Sequence, residues 1–182
     1  MNLLEAIQTR TSALKLSEPA PSREDIERII KAGTRAPDHG RLRPWRFVVL
    51  EGDARKRLGD AMANVLKAKM PEVQEAQLAA EAAKPLRAPA IIAVGAKITK
   101  GKIPEIEQVA AVAAAIQNMF LAAHALGYGV MWKTGAAAYA PGVKELLGFA
   151  PEDHIVGFLY LGKNAAPGPL VEAPLENVVR WL

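Results

Sequence analysis

From Gln108 to Trp132 the chain carries no formal charge. A stretch of that length could span a bilayer, so its solvent must be settled first. Gln117, Asn118 and His124 interrupt it, and Ala dominates it. In hydrocarbon those polar side chains would be costly. The stretch therefore reads as a helix buried in a soluble domain, turned at Gly127-Tyr128-Gly129 into a strand. A helix that is apolar all round needs cover on every side, and that demand shapes the rest of the fold.

The 182 residues are expected to form one domain, 1–182, large enough to bury a core. Ala occurs 34 times. Ala adds little transfer energy but lets backbones approach, so the expectation is helices in tight contact. There is no Cys, which excludes disulfide frameworks, thiolate nucleophiles, Cys-based zinc sites and iron–sulfur clusters. That fits a reducing compartment. Met1-Asn2-Leu3-Leu4-Glu5 lacks the basic and apolar regions of a signal peptide, so the expected location is cytoplasmic and free of membrane.

Local signals give the elements. Asn2 can cap a helix over 3–9, and Ser22-Arg23-Glu24-Asp25 resembles a capping box opening a helix that ends at Gly33. Residues 45–50 are β-branched and aromatic and read as a strand. Helices are expected over 53–69 and 71–83. Ala90 to Ala96 is an apolar run bounded by turn residues, the pattern of a central strand covered on both faces. Pro104 opens the long helix, which ends near Gly127. A strand over 130–133, a short helix over 143–147 and a strand over 154–161 complete the pass. Helices outnumber strands, which gives an α+β layered domain. The exposed-looking end, Trp181-Leu182, calls for a partner surface.

The net charge is +4, and residues 31–46 alone account for it, with five cations against Asp38. A surplus of this kind suits nucleic acid, an anionic membrane or a phosphate-bearing small molecule. Nucleic acid would call for aromatics or a groove-reading helix among the cations, and Trp45 stands alone. The irregular segment Arg35-Ala36-Pro37-Asp38-His39-Gly40-Arg41-Leu42-Arg43-Pro44 has its backbone restricted by two prolines. Arg10-Thr11-Ser12 offers a guanidinium, two hydroxyls and loop N–H groups, a phosphate receptor in kind. Lys133 and Thr134 could do the same after the strand that follows Gly129. Each also has a plain structural reading: a solvated helix end, a solvated loop, and a core Trp132. The three histidines lack metal spacing, so no metal is expected. Glu105 and Glu107 suit a helix macrodipole. There is no G-x-S-x-G, no P-loop and no dinucleotide fingerprint. Cation and hydroxyl clusters without a nucleophile or metal place any chemistry on a bound cofactor.

Taken together, Arg10-Thr11-Ser12, Ala36-Pro37, Pro44-Trp45-Arg46-Phe47, Gly127-Tyr128-Gly129 and the strand Ile155 to Gly162 resemble the nitroreductase family of FMN flavoproteins, in a minimal bacterial branch. The resemblance covers nearly the whole chain. It implies a mixed or antiparallel sheet of about four or five strands under helices, in an intertwined homodimer with FMN at the subunit interface. It implies FMN contacts from Arg10, Thr11, Ser12, Met131, Trp132 and Lys133, and from Arg35 and His39 toward the flavin of the other subunit. It places a nicotinamide border at Leu121, Ala122, Ala123, His124, Ala125 and Leu126. The implied reaction is ping-pong: NAD(P)H gives hydride to the flavin, which passes two electrons to a small-molecule acceptor, a nitro compound or quinone. No side chain is a nucleophile in it.

Three positions depart from the family pattern. Thr11 stands where a second arginine is common, Asp38-His39 and Arg41 replace Ser-Ser and a flavin-contacting Asn, and Arg43 replaces the Gln before Pro-Trp. Two other classes stay open on sequence: a flavin-binding protein of the same fold for storage or sensing, and a basic nucleic-acid-binding domain.

Overall fold

The apolar run at 90–96 is the inner strand of the sheet. In the computed structural model, which describes residues 2–172 and 174–182, every residue of that run is buried. The strands are β1 (Ala13–Ser17), β2 (Trp45–Leu50), β3 (Ala90–Ala96), β4 (Tyr128–Lys133) and β5 (His154–Pro167). The helices are α1 (Leu3–Thr9), α2 (Arg23–Gly33), α3 (Asp53–Lys69), α4 (Glu75–Ala82), α5 (Glu105–Ala125) and α6 (Pro141–Leu146). All strand pairs are antiparallel. The α+β class and the five-stranded sheet match the expectation.

β5 organises the sheet because it is long enough for three neighbours. Leu161 faces Ala90 of β3 on one edge and Val130 of β4 on the other. Beyond the end of β3, β1 takes over that edge, with Ser17 opposite Lys163. β2 closes the far side against β3.

Strand alternation divides the core into two layers. Ile91, Ala93, Phe158 and Tyr160 point to one face, where α3, α6 and the segment 136–140 cover them. Ile92, Val94, Leu159 and Leu161 point to the other, under α2 and α5. α5 is long and apolar enough to cross a membrane by length and composition. Here Ala111, Val112, Ala115, Ile116, Met119 and Ala123 are instead buried in the domain. Tight helix contact appears where Ala was abundant: a side chain on Gly59 of α3 would strike the Ala82 carbonyl of α4.

Some boundaries moved. Residues 71–74 form a turn before α4 rather than its first turn. β4 begins at Tyr128, two residues early, because Tyr128 and Gly129 pair with Lys163 and Gly162. α6 starts at Pro141, and α5 stops at Ala125. β1 had no signal as a strand, and β5 runs six residues past Leu161 to reach it.

Candidate functional site

Arg10, Thr11 and Ser12 lie between α1 and β1. Asn2 and Glu5 form a reciprocal capping box on α1, and the Arg10 N–H donates to the Ala6 carbonyl to close it. The Arg10 guanidinium sits over the Phe120 ring of α5, 5.1 Å from its centroid, a cation–π contact that fixes its direction. The Gly168 N–H donates to the Ser12 carbonyl at 2.9 Å, so the segment after β5 holds this loop from the other side. All three side chains are half-buried.

Met131, Trp132 and Lys133 end β4, an outer strand that pairs only with β5 among the described residues. Alternation separates their side chains. Met131 packs with the layer holding Phe158 and Tyr160, and Lys133 borders a cavity on that side. Trp132 lies on the opposite face, against Gly157, and its Nε1–H donates to the Val156 carbonyl at 3.2 Å. A ligand on either face meets only part of this trio through side chains. A ligand along the open edge of β4 can meet the backbone of alternate residues there, since successive N–H and C=O groups point to opposite edges.

Two hollows meet at Lys133. The smaller, about 70 Å³, has walls from Ala13, Leu14, Leu16 and Met131. It joins the start of β1, directly after Ser12, to the end of β4. The larger, about 290 Å³, lies between α3, the 3-10 turn Lys84–Arg87 and β4–β5. Arg87 and Tyr160 border both. Sequence reasoning missed Lys69, Lys84, Arg87 and Tyr160 at this place, since no local pattern links them.

Arg35 and His39 lie elsewhere in the chain. Arg35 borders a hollow of about 370 Å³ together with Leu121, Ala122 and Ala125, with Asn2 at the cap of α1, and with Leu3 and Ala6 within it. Thus Arg35 lies beside part of the segment expected to border the nicotinamide. Within that segment Ala123 is fully buried and packs in the core. His124 Nε2 lies 3.0 Å from the Thr9 hydroxyl, tying α5 to α1. Leu126 packs against the same core layer as Ala123.

His39 Nδ1 pairs with Glu107 Oε2 of α5, and His154 Nε2 pairs with Glu105 Oε1 at 2.6 Å. The two acids do occupy the first turn of α5, as the macrodipole reading required, and they also clasp neighbouring elements. The loop between α2 and β2 is strained: Arg41 and Arg43 have φ of 56° and 49°, in the left-handed region. Asp38 compensates by accepting from the Arg43 N–H at 2.6 Å. Arg35, Arg41 and Arg43 together border a shallow hollow of about 550 Å³.

Burial sets the one large shift near the cavity. Tyr160 is 3% exposed, and its pKa is pushed up to about 12 because ionising it there loses solvation. It stays a neutral hydrogen-bond donor across the physiological range.

A strained loop, cation and hydroxyl clusters on a small antiparallel sheet, and an open strand edge are features of the kind an anionic cofactor requires. The match of residues 7–163 to the nitroreductase family model is consistent with that, and the chain belongs to the nitroreductase family. It is 41% identical over 163 residues to "Putative NAD(P)H nitroreductase YdjA" of Escherichia coli strain K12, covering 89% of this chain and 88% of that protein. Among solved structures it is similar to a nitroreductase-like family protein from Bacillus cereus, with TM-score 0.84 and 27% identity over 100% of this chain and 96% of that one. It is also similar to a Desulfovibrio desulfuricans nitroreductase-type protein solved in complex with FMN, with TM-score 0.76 and 26% identity over 98% and 96% of the two chains.

Proposed function

We infer that this protein is an FMN-dependent oxidoreductase that uses NAD(P)H to reduce nitro compounds or quinones by two electrons, working as a homodimer. The observation that carries this reading is the meeting of the β1 entrance and the β4 end at one hollow. The residues fit the cofactor as one wall of its site, since a hollow of about 70 Å³ is too small to enclose a flavin by itself. A flavin ring needs an apolar wall, and Leu14, Leu16, Met131 and Tyr160 supply one. A phosphate needs cations and hydroxyls, and Arg10, Thr11, Ser12 and Lys133 offer them. Family membership, the name of the Escherichia coli relative and the FMN complex of the Desulfovibrio structure support the same reading.

FMN, when bound, supplies the two-electron chemistry that side chains lack. The chain's own part is electrostatic and positional. Arg10 and Ser12 would hold the phosphate end, and the edge of β4 the ring. Lys133 lowers the cost of added negative charge in the site. Arg35 with Leu121, Ala122 and Ala125 would border the nicotinamide. His39 and the strained loop would reach the partner subunit's cofactor.

The dimer is supported by apolar surface that this fold leaves uncovered. Leu3 and Leu4 of α1, Ile106 of α5, and Trp181 and Leu182 at the end of the chain are all more than 60% exposed. Burial of such side chains against a second copy would recover about 1.5–3 kcal/mol for each large one.

The test is turnover. Purified protein supplied with FMN should consume NADH or NADPH only when a nitroarene or quinone is present. Bound flavin with no consumption under any acceptor would move the protein to a storage or sensing role.

A further inference from the structure

The larger cavity beside Lys133 is more cationic than a cofactor site alone explains. Lys69 comes from the end of α3, Lys84 and Arg87 from the turn after α4, and Lys133 from β4. Glu81 is the single carboxylate at the wall, and it is engaged by Lys84 Nζ. Among the described residues, Lys69, Arg87 and Lys133 have no carboxylate within ion-pair distance. The floor is apolar, made by Met62, Val65, Leu66 and Phe158. Tyr160 stands at the junction with the smaller hollow, almost wholly buried. Its hydroxyl is not sealed off: among the described residues Arg55 Nε is the one fully buried side-chain N or O atom without a partner, so the Tyr160 hydroxyl can reach water or a ligand.

We propose that this cavity is the acceptor pocket and that it selects aromatic acceptors bearing an acidic group, such as a nitrobenzoate. The apolar floor takes the ring, and Lys69, Arg87 and the Tyr160 hydroxyl take the carboxylate. The selectivity rests on the reading of the protein as an FMN-dependent reductase. In the overall reaction the nitro group takes two electrons and two protons and loses one oxygen as water, becoming nitroso. NAD(P)H is oxidised to NAD(P)+ and supplies the electron pair and one proton, and solvent supplies the other.

The experiment is calorimetric binding of benzoate, which cannot be reduced here, against its neutral counterpart benzamide. It uses the FMN-supplemented protein at low salt. Benzoate is expected to bind about tenfold more tightly, with the advantage shrinking as salt rises. Lys69→Gln and Arg87→Gln should each weaken benzoate about three- to tenfold and leave benzamide unchanged, with FMN content as in the parent. In turnover, the same variants should lower the kcat/KM ratio of 4-nitrobenzoate to nitrobenzene, through KM. Equal affinity for the two ligands would overturn the proposal. So would variants that leave benzoate unchanged, or that lose FMN, since those cations would then hold the cofactor. Failure of the parent protein to take up FMN would instead strike the reductase reading, and the benzoate preference can be measured independently of it.

Discussion

The Trp132 indole occupies the space that a side chain on Gly157 would need, and its Nε1–H donates to the adjacent Val156 carbonyl. A cross-strand glycine thus seats an aromatic ring beside the open edge of β4. Gly157→Ala should push the indole out, at a cost of about 1–3 kcal/mol from overpacking. The expected readouts are a lower denaturation midpoint and a red-shifted tryptophan emission. Because Trp132 belongs to the proposed flavin cradle, FMN affinity should fall as well. Unchanged emission would show that the indole is held elsewhere.

Arg10 makes a second test. Arg10→Ala removes a cation from the proposed phosphate end and its stacking on Phe120. A charge-assisted hydrogen bond to phosphate is worth about 1.5–3 kcal/mol, so FMN should bind roughly 10- to 100-fold more weakly. Fluorescence titration of FMN measures this directly. An unaltered dissociation constant would remove Arg10 from the cofactor site.

Tyr128 and Asp25 link β4 to α2. The Tyr128 hydroxyl donates to Asp25 Oδ2 at 2.8 Å, and this bond, with Arg28 and Ser22, holds the Asp25 carboxyl below its ordinary 3.8. A carboxyl depressed in the folded state contributes stability above its unfolded value, and that contribution is lost as pH falls through the folded value. Tyr128→Phe should therefore lower stability at neutral pH. The gap between variant and parent should close below pH 3.8, where Asp25 is protonated in the unfolded chain and then in the folded one. Chemical denaturation across that range checks the sign.

Tyr160 predicts the opposite edge of the pH range. Its folded value, raised from 10.0 to about 12, means that its burial costs nothing below pH 10 and weighs against the fold as pH climbs toward 12. The loss over that window is up to about 3 kcal/mol. In Tyr160→Phe the alkaline decline should be shallower by about that amount. An identical decline in both proteins would show that Tyr160 ionises freely.

What the sequence revealed follows physical range. The run Ala90–Ala96, the caps at Asn2 and Ser22, and the uncharged stretch that became α5 are local signals, and each found its element. β1 was invisible because Ala-Leu-Lys-Leu-Ser is short and mixed, and its strand exists through pairing with β5, far along the chain. The extension of β5 through Gly162-Lys163-Asn164 has poor strand propensity and depends on the same pairing. The proposed cofactor residues on either side of β5 could be named from a family pattern. The cavity's Lys69, Lys84 and Arg87 could not, since α3 and the turn after α4 bring them together only in the fold. Strand alternation also set Trp132 apart from Met131 and Lys133, a division that naming three consecutive residues does not express.

The central claim is that a flavin bound at the β1–β4 hollow takes electrons from a nicotinamide. The most direct measurement is the visible spectrum of the purified, FMN-supplemented protein after desalting, followed through an anaerobic titration with NADPH and then NADH. The account predicts retained oxidised-flavin absorbance that bleaches with about one equivalent of one or both donors. A protein that comes through desalting colourless, or whose bound flavin neither donor bleaches, would contradict it.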